Sequence, residues 1–175
     1  AREITILSKL KFPSIIKFIG YNKKNFKNQS KPTIITEFVK NQSLEEMIIF
    51  NDNNIWNETK KLITIYGIAS AMSYMHSLNF IHRDLKPENI FLDEFLYPKI
   101  GGFGLSKEIE IDKENVDENE NVGTLLYMAP EVITKNKYYK ASDVYSFALI
   151  VYYIVTIKQP YEGFKSIDII EKVPE

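Results

Sequence analysis

The chain has 175 residues, which is enough for one domain with its own hydrophobic core. Charged residues make up 26% of it and balance to a net charge of -1, so the chain as a whole has no basic surplus that would attract nucleic acid or anionic lipid. It contains no cysteine, which excludes disulfides and cysteine-ligated zinc and fits an intracellular protein.

The first elements predicted along the chain are a short helix and two strands. Apolar residues at helical spacing predict a helix over residues 3–10, and Pro13 disfavours its continuation. Residues 15–19 and 33–38 are predicted as strands. A polar loop rich in asparagine and lysine, residues 22–31, joins them.

Helices dominate the prediction after residue 40. Ser43 is a predicted N-cap for a helix over residues 44–50, and Asn57 is one for a longer helix. The second helix carries an apolar stripe that we predict to be core packing: Leu62, Ile65, Ala69, Met72 and Met75. Residues 141–157 are apolar almost all round, which predicts a helix covered on every side. The longest apolar run, residues 145–157, is too short to span a bilayer, and the N-terminal residues contain no apolar signal region.

The most informative stretch is residues 82–89, His-Arg-Asp-Leu-Lys-Pro-Glu-Asn, which lies between two short apolar segments predicted as strands. Asp84 can accept a proton from a hydroxyl, Lys86 can lie against a phosphate, and Asn89 can offer its carbonyl oxygen to a divalent cation. A charged surface turn is the alternative interpretation. The octapeptide resembles the catalytic loop of the eukaryotic protein kinases at all eight positions.

The resemblance extends over nearly the whole chain. Ala-Pro-Glu, ending at Glu131, matches a second kinase motif, and Asp-Val-Tyr-Ser-Phe, beginning at Asp143, resembles the start of the family's central helix. Thr-Glu-Phe-Val, beginning at Thr36, resembles the gatekeeper and hinge. Arg-Glu-Ile, around Glu3, resembles the middle of the helix known as αC. The Tyr-Ser-Phe after Asp143, together with Lys86, resembles a tyrosine-kinase-like domain of the serine/threonine type.

The resemblance implies an α+β fold of the protein-kinase type. Residues 1–39 would be an N-lobe remnant, from αC onward, with the hinge, and residues 40–175 would be the helical C-lobe through about αG at residues 166–172. The family's glycine-rich loop and its lysine-bearing strand precede αC. We therefore expect a fragment of a longer protein.

The resemblance also assigns roles to individual residues. Asp84 would be the base, Lys86 would assist at the transferred phosphate, and Asn89 would hold magnesium. The expected ATP-binding residues are Glu3, Thr36, Glu37, Val39 and Phe91, with Phe91 under the adenine ring. The expected regulatory residues are Leu7, Phe18, His82 and Phe103 as a packed spine, together with Arg83 and Thr124. Glu131 and Asp143 would be structural, and we expect Glu131 to lack its usual arginine partner.

One motif departs from the family pattern. Where kinases have Asp-Phe-Gly, this chain has Gly102-Phe103-Gly104, so the metal-binding carboxylate is absent. The loss of one anionic ligand is expected to cost on the order of 3–5 kcal/mol, or about 10²–10⁴ in rate.

Residues 107–123 match the activation segment and are strongly acidic. They contain seven carboxylates and two lysines but no serine, threonine or tyrosine. In the family a phosphate on this segment neutralises the arginine that corresponds to Arg83. In this chain a carboxylate can make the same contact. The candidates are Glu108, Glu110, Asp112, Glu114, Asp117, Glu118 and Glu120. The alternative is a charge run that is merely solvated and mobile.

Two functions from different classes follow from these motifs. The first is a protein serine/threonine kinase-like domain that uses ATP and magnesium, with little or no activity in this chain. The second is a pseudokinase that acts as a binding or scaffolding module, because Gly102 replaces the metal ligand. Both predict a protein partner, no nucleic acid, no membrane span and a cytoplasmic location. A small-molecule phosphotransferase is disfavoured by the Ala-Pro-Glu motif.

Overall fold

The computed structural model describes residues 2–50, 52, 54–110, 113–118 and 122–173. The helices are α1 (Arg2–Lys9), α2 (Leu44–Phe50), α3 (Glu58–Ser77), α4 (Pro130–Lys135), α5 (Lys140–Thr156) and α6 (Ser166–Lys172). The strands are β1 (Phe18–Asn22), β2 (Thr33–Thr36), β3 (Phe80–Ile81), β4 (Ile90–Leu92), β5 (Pro98–Ile100), β6 (Lys107–Glu108), β7 (Asn115–Asp117) and β8 (Lys137–Tyr139). The predicted α+β class is confirmed.

The strands form four antiparallel pairs in place of one large sheet. The pairs are β1–β2, β3–β6, β4–β5 and β7–β8. The strand predicted at residues 15–19 is shifted, because β1 begins at Phe18 and Ile15 makes only an isolated bridge to Ile100. Strands β6 and β7 lie in the acidic segment, for which the sequence predicted no regular structure.

Both predicted N-caps are confirmed. The Oγ atom of Ser43 accepts a hydrogen bond from the N–H of Glu46 (3.3 Å), while a carboxylate oxygen of Glu46 accepts one from the N–H of Ser43 (2.9 Å). The Oδ1 atom of Asn57 accepts a hydrogen bond from the N–H of Lys60 (3.1 Å) at the start of α3. These reciprocal bonds satisfy amides that a helix start leaves without partners.

The predicted buried face of α3 is partly wrong. Met72 and Met75 are buried, but Leu62 is 66% exposed. The helix turns a different face inward, which includes Thr64, Gly67, Ile68 and Ala71. Gly67 permits this orientation, because a Cβ atom there would lie only 2.4 Å from the Cγ atom of Pro98 in β5.

Helix α5 is not buried on all sides, so the prediction that the helix at residues 141–157 is covered on every side is wrong. Its inward face consists of Ser142, Asp143, Ser146, Ile150, Tyr153 and Ile154. On the outer face Val144, Tyr152 and Val155 are exposed. The apolar composition did not distinguish the two faces, because the outer face is as hydrophobic as a core. No helix among the described residues is both long and apolar enough to cross a bilayer.

Candidate active site

The buried carboxylate of Asp143 accepts two hydrogen bonds from the backbone of the polar loop between β3 and β4. Its Oδ2 atom accepts a hydrogen bond from the N–H of His82 and its Oδ1 atom accepts one from the N–H of Arg83, both at 2.9 Å. Arg83 has φ = 68° and therefore lies in the left-handed region. Two hydrogen bonds to one buried carboxylate stabilise this strained turn and direct the next residue, Asp84, outward.

His76 has a structural role that the sequence prediction missed. It lies in α3, and its Nε2 atom is 2.9 Å from Oδ2 of Asp143. The same carboxylate thus joins α3, α5 and the loop. The contact spans 67 positions in the chain, so no local sequence pattern could indicate it.

His82 is buried and positions its neighbours. Burial lowers the pKa of this imidazole, because desolvation disfavours its charged form. The neutral ring can donate from Nε2 to the carbonyl of Gly101 (2.8 Å) and accept at Nδ1 from the N–H of Asp84 (3.3 Å). This tautomer links the strand that precedes Gly102 to the backbone of Asp84.

Three side chains surround the carboxylate of Asp84. Thr124 donates a hydrogen bond from its hydroxyl to Oδ1 (2.7 Å), and Asn89 donates one from Nδ2 to Oδ2 (3.0 Å). The Nζ atom of Lys86 lies 3.7 Å from Oδ2 and donates to the hydroxyl oxygen of Thr124 at 2.9 Å. The structure therefore brings the expected base, the expected phosphate-binding lysine and a hydroxyl group to one point. This geometry allows Asp84 to accept a proton from an incoming hydroxyl beside the positively charged Lys86 side chain.

Gly123 is a site residue that the sequence prediction did not single out. Its φ is 112°, and a Cβ atom there would lie 2.6 Å from the carbonyl oxygen of Arg83 and 3.7 Å from Oδ1 of Asp84. The close approach of two backbones next to the base thus requires glycine. A glycine immediately before Thr124 was the available signal.

Asn89 and Gly102 do not form a magnesium site of the kind that the kinase resemblance implied. The Nδ2 atom of Asn89 donates to the carbonyl of Asp84 (2.8 Å) as well as to its carboxylate. Gly102 has φ = 74°, and a Cβ atom there would lie 2.3 Å from Cγ of Asn89. The amide of Asn89 thus fills the space that a side chain at position 102 would need. Its Oδ1 atom is a single neutral ligand.

Other potential metal ligands are missing around this point. No group of three or more histidine, cysteine, aspartate or glutamate side chains that could hold a metal occurs in the part of the chain that the structure describes. The Asp84 carboxylate already accepts hydrogen bonds at both oxygens. Magnesium prefers several oxygen ligands in octahedral geometry, so the residues present do not fit this ion.

The segment that resembles the hinge is tied to β4. The N–H of Asn41 donates to the carbonyl of Leu92 (3.3 Å), and the N–H of Leu92 donates to the carbonyl of Gln42 (3.2 Å). This pairing brings the chain that follows Val39 alongside the strand that carries Phe91. The expected adenine-binding residues are therefore on neighbouring segments.

Thr36 and Glu37 lie at the end of β2. The Glu37 carboxylate accepts a hydrogen bond from the N–H of Lys17 (2.8 Å) and forms an ion pair with Lys99 (3.3 Å). The Glu37 side chain therefore makes structural contacts with Lys17 and Lys99. Phe91 is half-buried, and the absence of a side chain at Gly101 leaves space for its ring, since a Cβ atom there would be 2.9 Å from it.

The expected spine residues lie around the Gly-Phe-Gly motif. Leu7 and Phe103 are buried in one hydrophobic cluster, and Phe18 is half-buried against that cluster. The ring centroids of His82 and Phe103 are 5.2 Å apart. Glu3 lies in α1 near this motif and forms no ion pair with any residue within the described ranges.

The guanidinium of Arg83 binds one carboxylate of the acidic segment, that of Glu118. Arg83 is hydrogen-bonded to Glu118, and Lys107 binds the same carboxylate oxygen at 3.1 Å. Burial opposes ionisation of Glu118, but the hydrogen bonds from Lys107 and Arg83 outweigh it and lower the pKa of this carboxyl. The ring of Tyr138, whose role was not predicted, lies 5.0 Å from the Arg83 guanidinium.

The other expected partners of Arg83 do not reach it: three pair with lysines, two lie outside the described residues, and Glu114 is exposed and forms no ion pair within the described ranges. Glu108 pairs with Lys9, Glu110 with Lys113 and Asp117 with Lys137. Asp112 and Glu120 lie outside the described residues. The alternative of a fully solvated segment does not hold for its described part, because β6 and β7 are both paired with other strands.

The carboxylate of Glu131 has a partner other than the arginine that the family supplies. The hydroxyl of Ser142 in α5 donates a hydrogen bond to its Oε1 atom. The same hydroxyl accepts a hydrogen bond from the N–H of Tyr139 (3.0 Å). Glu131 is therefore joined to the start of α5.

Comparison with known proteins places these motifs in a family. The family model described as protein kinase domain matches residues 1–173. A probable LIM domain-containing serine/threonine-protein kinase of Dictyostelium discoideum is 34% identical over 167 residues, covering 94% of this chain and 25% of that protein. Cysteine-rich receptor-like protein kinase 25 of Arabidopsis thaliana is 34% identical, covering 90% of this chain and 23% of the relative.

A third relative comes from another kingdom. The serine/threonine-protein kinase polo of Drosophila melanogaster is 34% identical over 169 residues, covering 93% of this chain and 27% of the relative. The chain thus spans roughly a quarter of the length of each of these curated relatives.

Proposed function

Because this chain belongs to the protein kinase family, we propose that it is part of a serine/threonine kinase domain that transfers phosphoryl groups from ATP to protein hydroxyls, at a low rate. The observation that carries this proposal is the contact set around Asp84. The base, Lys86 and Thr124 converge within hydrogen-bonding distance where a substrate hydroxyl would arrive.

The roles and boundaries given by the kinase resemblance remain part of the proposal. Residues 1–39 would contribute the end of the N-lobe and the hinge, and residues 40–175 the C-lobe. The backbone of Glu37 and Val39 would hold the adenine, with Phe91 beneath it. Members of the family generally use ATP and magnesium. An intracellular location and a protein substrate also belong to the proposal.

A low rate is expected from the metal side of the site. In phosphoryl transfer the protein mainly places charge, and the metal ions neutralise the charge that develops on the phosphates. Gly102 supplies no ligand, and Asn89 is hydrogen-bonded to Asp84. The described residues can orient the acceptor hydroxyl, but they do not provide the family's usual set of magnesium ligands.

A second function is favoured by the same two residues. The hydrogen bonds from Asn89 to Asp84 tie the two ends of the loop together through the protein's own groups. A pseudokinase, which keeps the fold as a binding or scaffolding module, needs that order but not transfer. The two functions differ in one measurable property, which is incorporation of phosphate that depends on Asp84.

The test uses the full-length gene product, labelled ATP and a panel of generic protein substrates. We expect slow incorporation on serine or threonine, which Asp84→Asn lowers by about 10²–10⁴-fold. The matched control is Asp117→Asn, at an exposed carboxylate, which should leave the rate unchanged. Equal incorporation by Asp84→Asn and the parent would refute transfer by this site. Retained binding of the nucleotide in that case would support the pseudokinase.

A further inference from the structure

The loop between β1 and β2 concentrates positive charge that the net charge of the chain conceals. Residues 23–32, here termed the lysine loop, contain four lysines and neither aspartate nor glutamate. The whole chain has a net charge of -1, so the remainder carries -5 (-1 minus +4). The loop therefore has the opposite sign to the rest of the protein.

The lysine loop is organised by the side chain of Asn25. Its Oδ1 atom accepts hydrogen bonds from the N–H groups of Lys27 and Gln29, both at 3.0 Å. Its Nδ2 atom donates to the side chain of Gln29 (2.8 Å), and its backbone carbonyl accepts from the N–H of Asn28 (2.9 Å). Asn28 adopts φ = 59°, which completes the turn. The loop thus has a defined shape before any partner binds.

This shape presents an aromatic ring among free cations. Phe26 is 95% exposed, the highest value among the large hydrophobic side chains. All four lysines are exposed, and none forms an ion pair within the described ranges: Lys23, Lys24, Lys27 and Lys31. A single exposed apolar side chain is ordinary at a protein surface, so the ring alone indicates nothing. The combination of this ring with four lysines that form no ion pair within the described ranges is what points to a partner.

We propose that the lysine loop is a docking surface for an anionic lipid bilayer, with Phe26 inserted at the headgroup level and the lysines against lipid phosphates. Exposed aromatic rings combined with lysines are the chemistry that binds the interface of such a membrane. A single ring on a convex tip suits a deformable planar surface. Single-stranded nucleic acid is instead held in grooves by several stacked aromatic rings.

The charge of the remaining chain favours one orientation. The anionic body is repelled by a surface that attracts the loop, so the protein should approach with the β1–β2 end first. Catalytic-loop residues such as Asp84 lie in a different part of the fold and make no contact with the lysine loop among the described hydrogen bonds. Binding by one loop is expected to be weak and reversible.

The test measures partitioning of the full-length gene product onto vesicles of phosphatidylcholine with and without about 30% phosphatidylserine, at about 0.1 M salt. We expect binding only to the anionic vesicles. Lys23→Gln with Lys24→Gln should weaken it by on the order of 25-fold, because each lysine near such a surface contributes about fivefold. Phe26→Ser should weaken binding severalfold while leaving its salt dependence intact.

The matched control replaces two lysines outside the loop. Lys135→Gln with Lys158→Gln removes the same charge at exposed positions and should change partitioning by less than about twofold. Equal loss in both double variants, or equal binding to neutral vesicles, would overturn the proposal. Tighter binding to single-stranded RNA or to a polyglutamate peptide would do so as well. Circular dichroism of each variant checks that the fold is unchanged.

Discussion

The expected base of the candidate site, Asp84, is oriented by hydrogen bonds from the protein's own side chains. Both carboxylate oxygens of Asp84 accept from side chains, Thr124 on one and Asn89 on the other. Its backbone N–H donates to His82, whose neutral ring also holds Gly101. Each of these bonds fixes a direction that a metal ion would otherwise help to set. The substrate side of the site is therefore held by the protein's own side chains.

The first prediction at this scale concerns Gly102→Asp in the full-length gene product. The new side chain must displace the Asn89 amide, since its Cβ atom would start 2.3 Å from Cγ of Asn89. The backbone angle of 74° adds a cost of about 1–2 kcal/mol. We expect lower thermal stability together with stronger magnesium-dependent nucleotide binding and at least severalfold faster transfer, measured by calorimetry and labelled ATP.

Gly102→Ala separates the carboxylate from the steric change. It introduces the same Cβ atom without a metal ligand, so it should lose stability and gain no magnesium dependence. If alanine and aspartate gave the same magnesium response, position 102 would not be the metal position.

The second residue-scale prediction concerns Gly123→Ala. A Cβ atom at Gly123 would lie 2.6 Å from the carbonyl oxygen of Arg83, and the backbone cannot relax without moving Asp84. We expect a loss of about 1–3 kcal/mol in the free energy of unfolding. Phosphate transfer should fall further than stability alone explains. Chemical denaturation and the transfer assay measure the two effects.

Gly163→Ala is the control for that variant. Gly163 also has a positive φ, 86°, but a Cβ atom there would meet no heavy atom within 4 Å. It should therefore show only the conformational cost, about 1 kcal/mol. A loss of stability and activity at Gly163 equal to that at Gly123 would argue against a special role for the close approach.

At the scale of elements, two short strands anchor the acidic segment. Strand β6 pairs with β3, directly before the catalytic loop, and β7 pairs with β8, directly before α5. Next to β7, Glu118 binds both Arg83 and Lys107. One carboxylate thus connects the catalytic loop to both ends of the segment. Phosphorylation between residues 107 and 123 is not needed for this arrangement, and that stretch contains no hydroxyl side chain.

We predict that Glu118→Gln releases this segment. The side chain of Arg83 is nearly fully buried, so loss of its charged partner should cost about 1.5–3 kcal/mol. Limited proteolysis should cut within residues 107–123 faster in this variant than in the parent. Glu110→Gln is the matched control, because that carboxylate pairs only with an exposed lysine at the surface. Equal protection of parent and Glu118→Gln would remove Glu118 from this role.

The same contact predicts a dependence on pH. The pKa of Glu118 in the folded protein lies below its ordinary value of 4.5, because the hydrogen bonds from Lys107 and Arg83 outweigh desolvation by burial. A lowered carboxyl pKa gives stability that is complete above the ordinary value and is lost as the pH falls through the folded value. We therefore expect protection of the segment to decline below pH 4.5 in the parent.

Glu118→Gln should flatten this response. The variant has no group that titrates at this position, so its faster cleavage should change little between about pH 6 and the onset of acid unfolding. A parent and a variant with parallel pH profiles would show that other carboxyl groups control the segment. Thr124 and Ser106 flank the segment, but Ser106 is fully buried and donates a hydrogen bond to the carbonyl of His82 (3.2 Å), so Thr124 is the flanking hydroxyl to map. Phosphorylation of Thr124 that protected the whole segment would contradict constitutive ordering.

On the scale of the whole molecule, the exposed apolar surface limits stability. Helix α5 leaves Val144, Tyr152 and Val155 exposed, and α6 leaves Ile167 and Ile170 exposed. Large apolar patches on a monomer mark interfaces or aggregation sites. We predict that the isolated 175-residue chain melts below about 50 °C or aggregates, measured by light scattering during a thermal melt.

Two variants test the cause. Val144→Ser with Val155→Ser should reduce aggregation with little loss of stability, because both side chains are exposed. Ile150→Ala, on the inward face of the same helix, should cost about 2–5 kcal/mol, since its side chain is fully buried. A soluble monomer with a cooperative melt well above about 50 °C would contradict the prediction.

The sequence by itself determined the family and much of the architecture. The eight residues of the catalytic loop, the missing carboxylate at Gly102 and the caps at Ser43 and Asn57 are local features. Each depends on residue types a few positions apart, which is the range over which backbone geometry fixes neighbours. The α+β class followed from the resemblance to the protein kinases that these motifs carry together.

Only the tertiary structure decided which distant groups meet. Seven carboxylates were equivalent candidates for Arg83, and the register of β7 against β8 selected Glu118. The role of His76 depends on α5 bringing Asp143 to α3, and the inward face of α3 depends on the fit of Gly67 against Pro98. These choices are invisible locally, because contact energies between residues far apart in sequence exist only after the elements have packed.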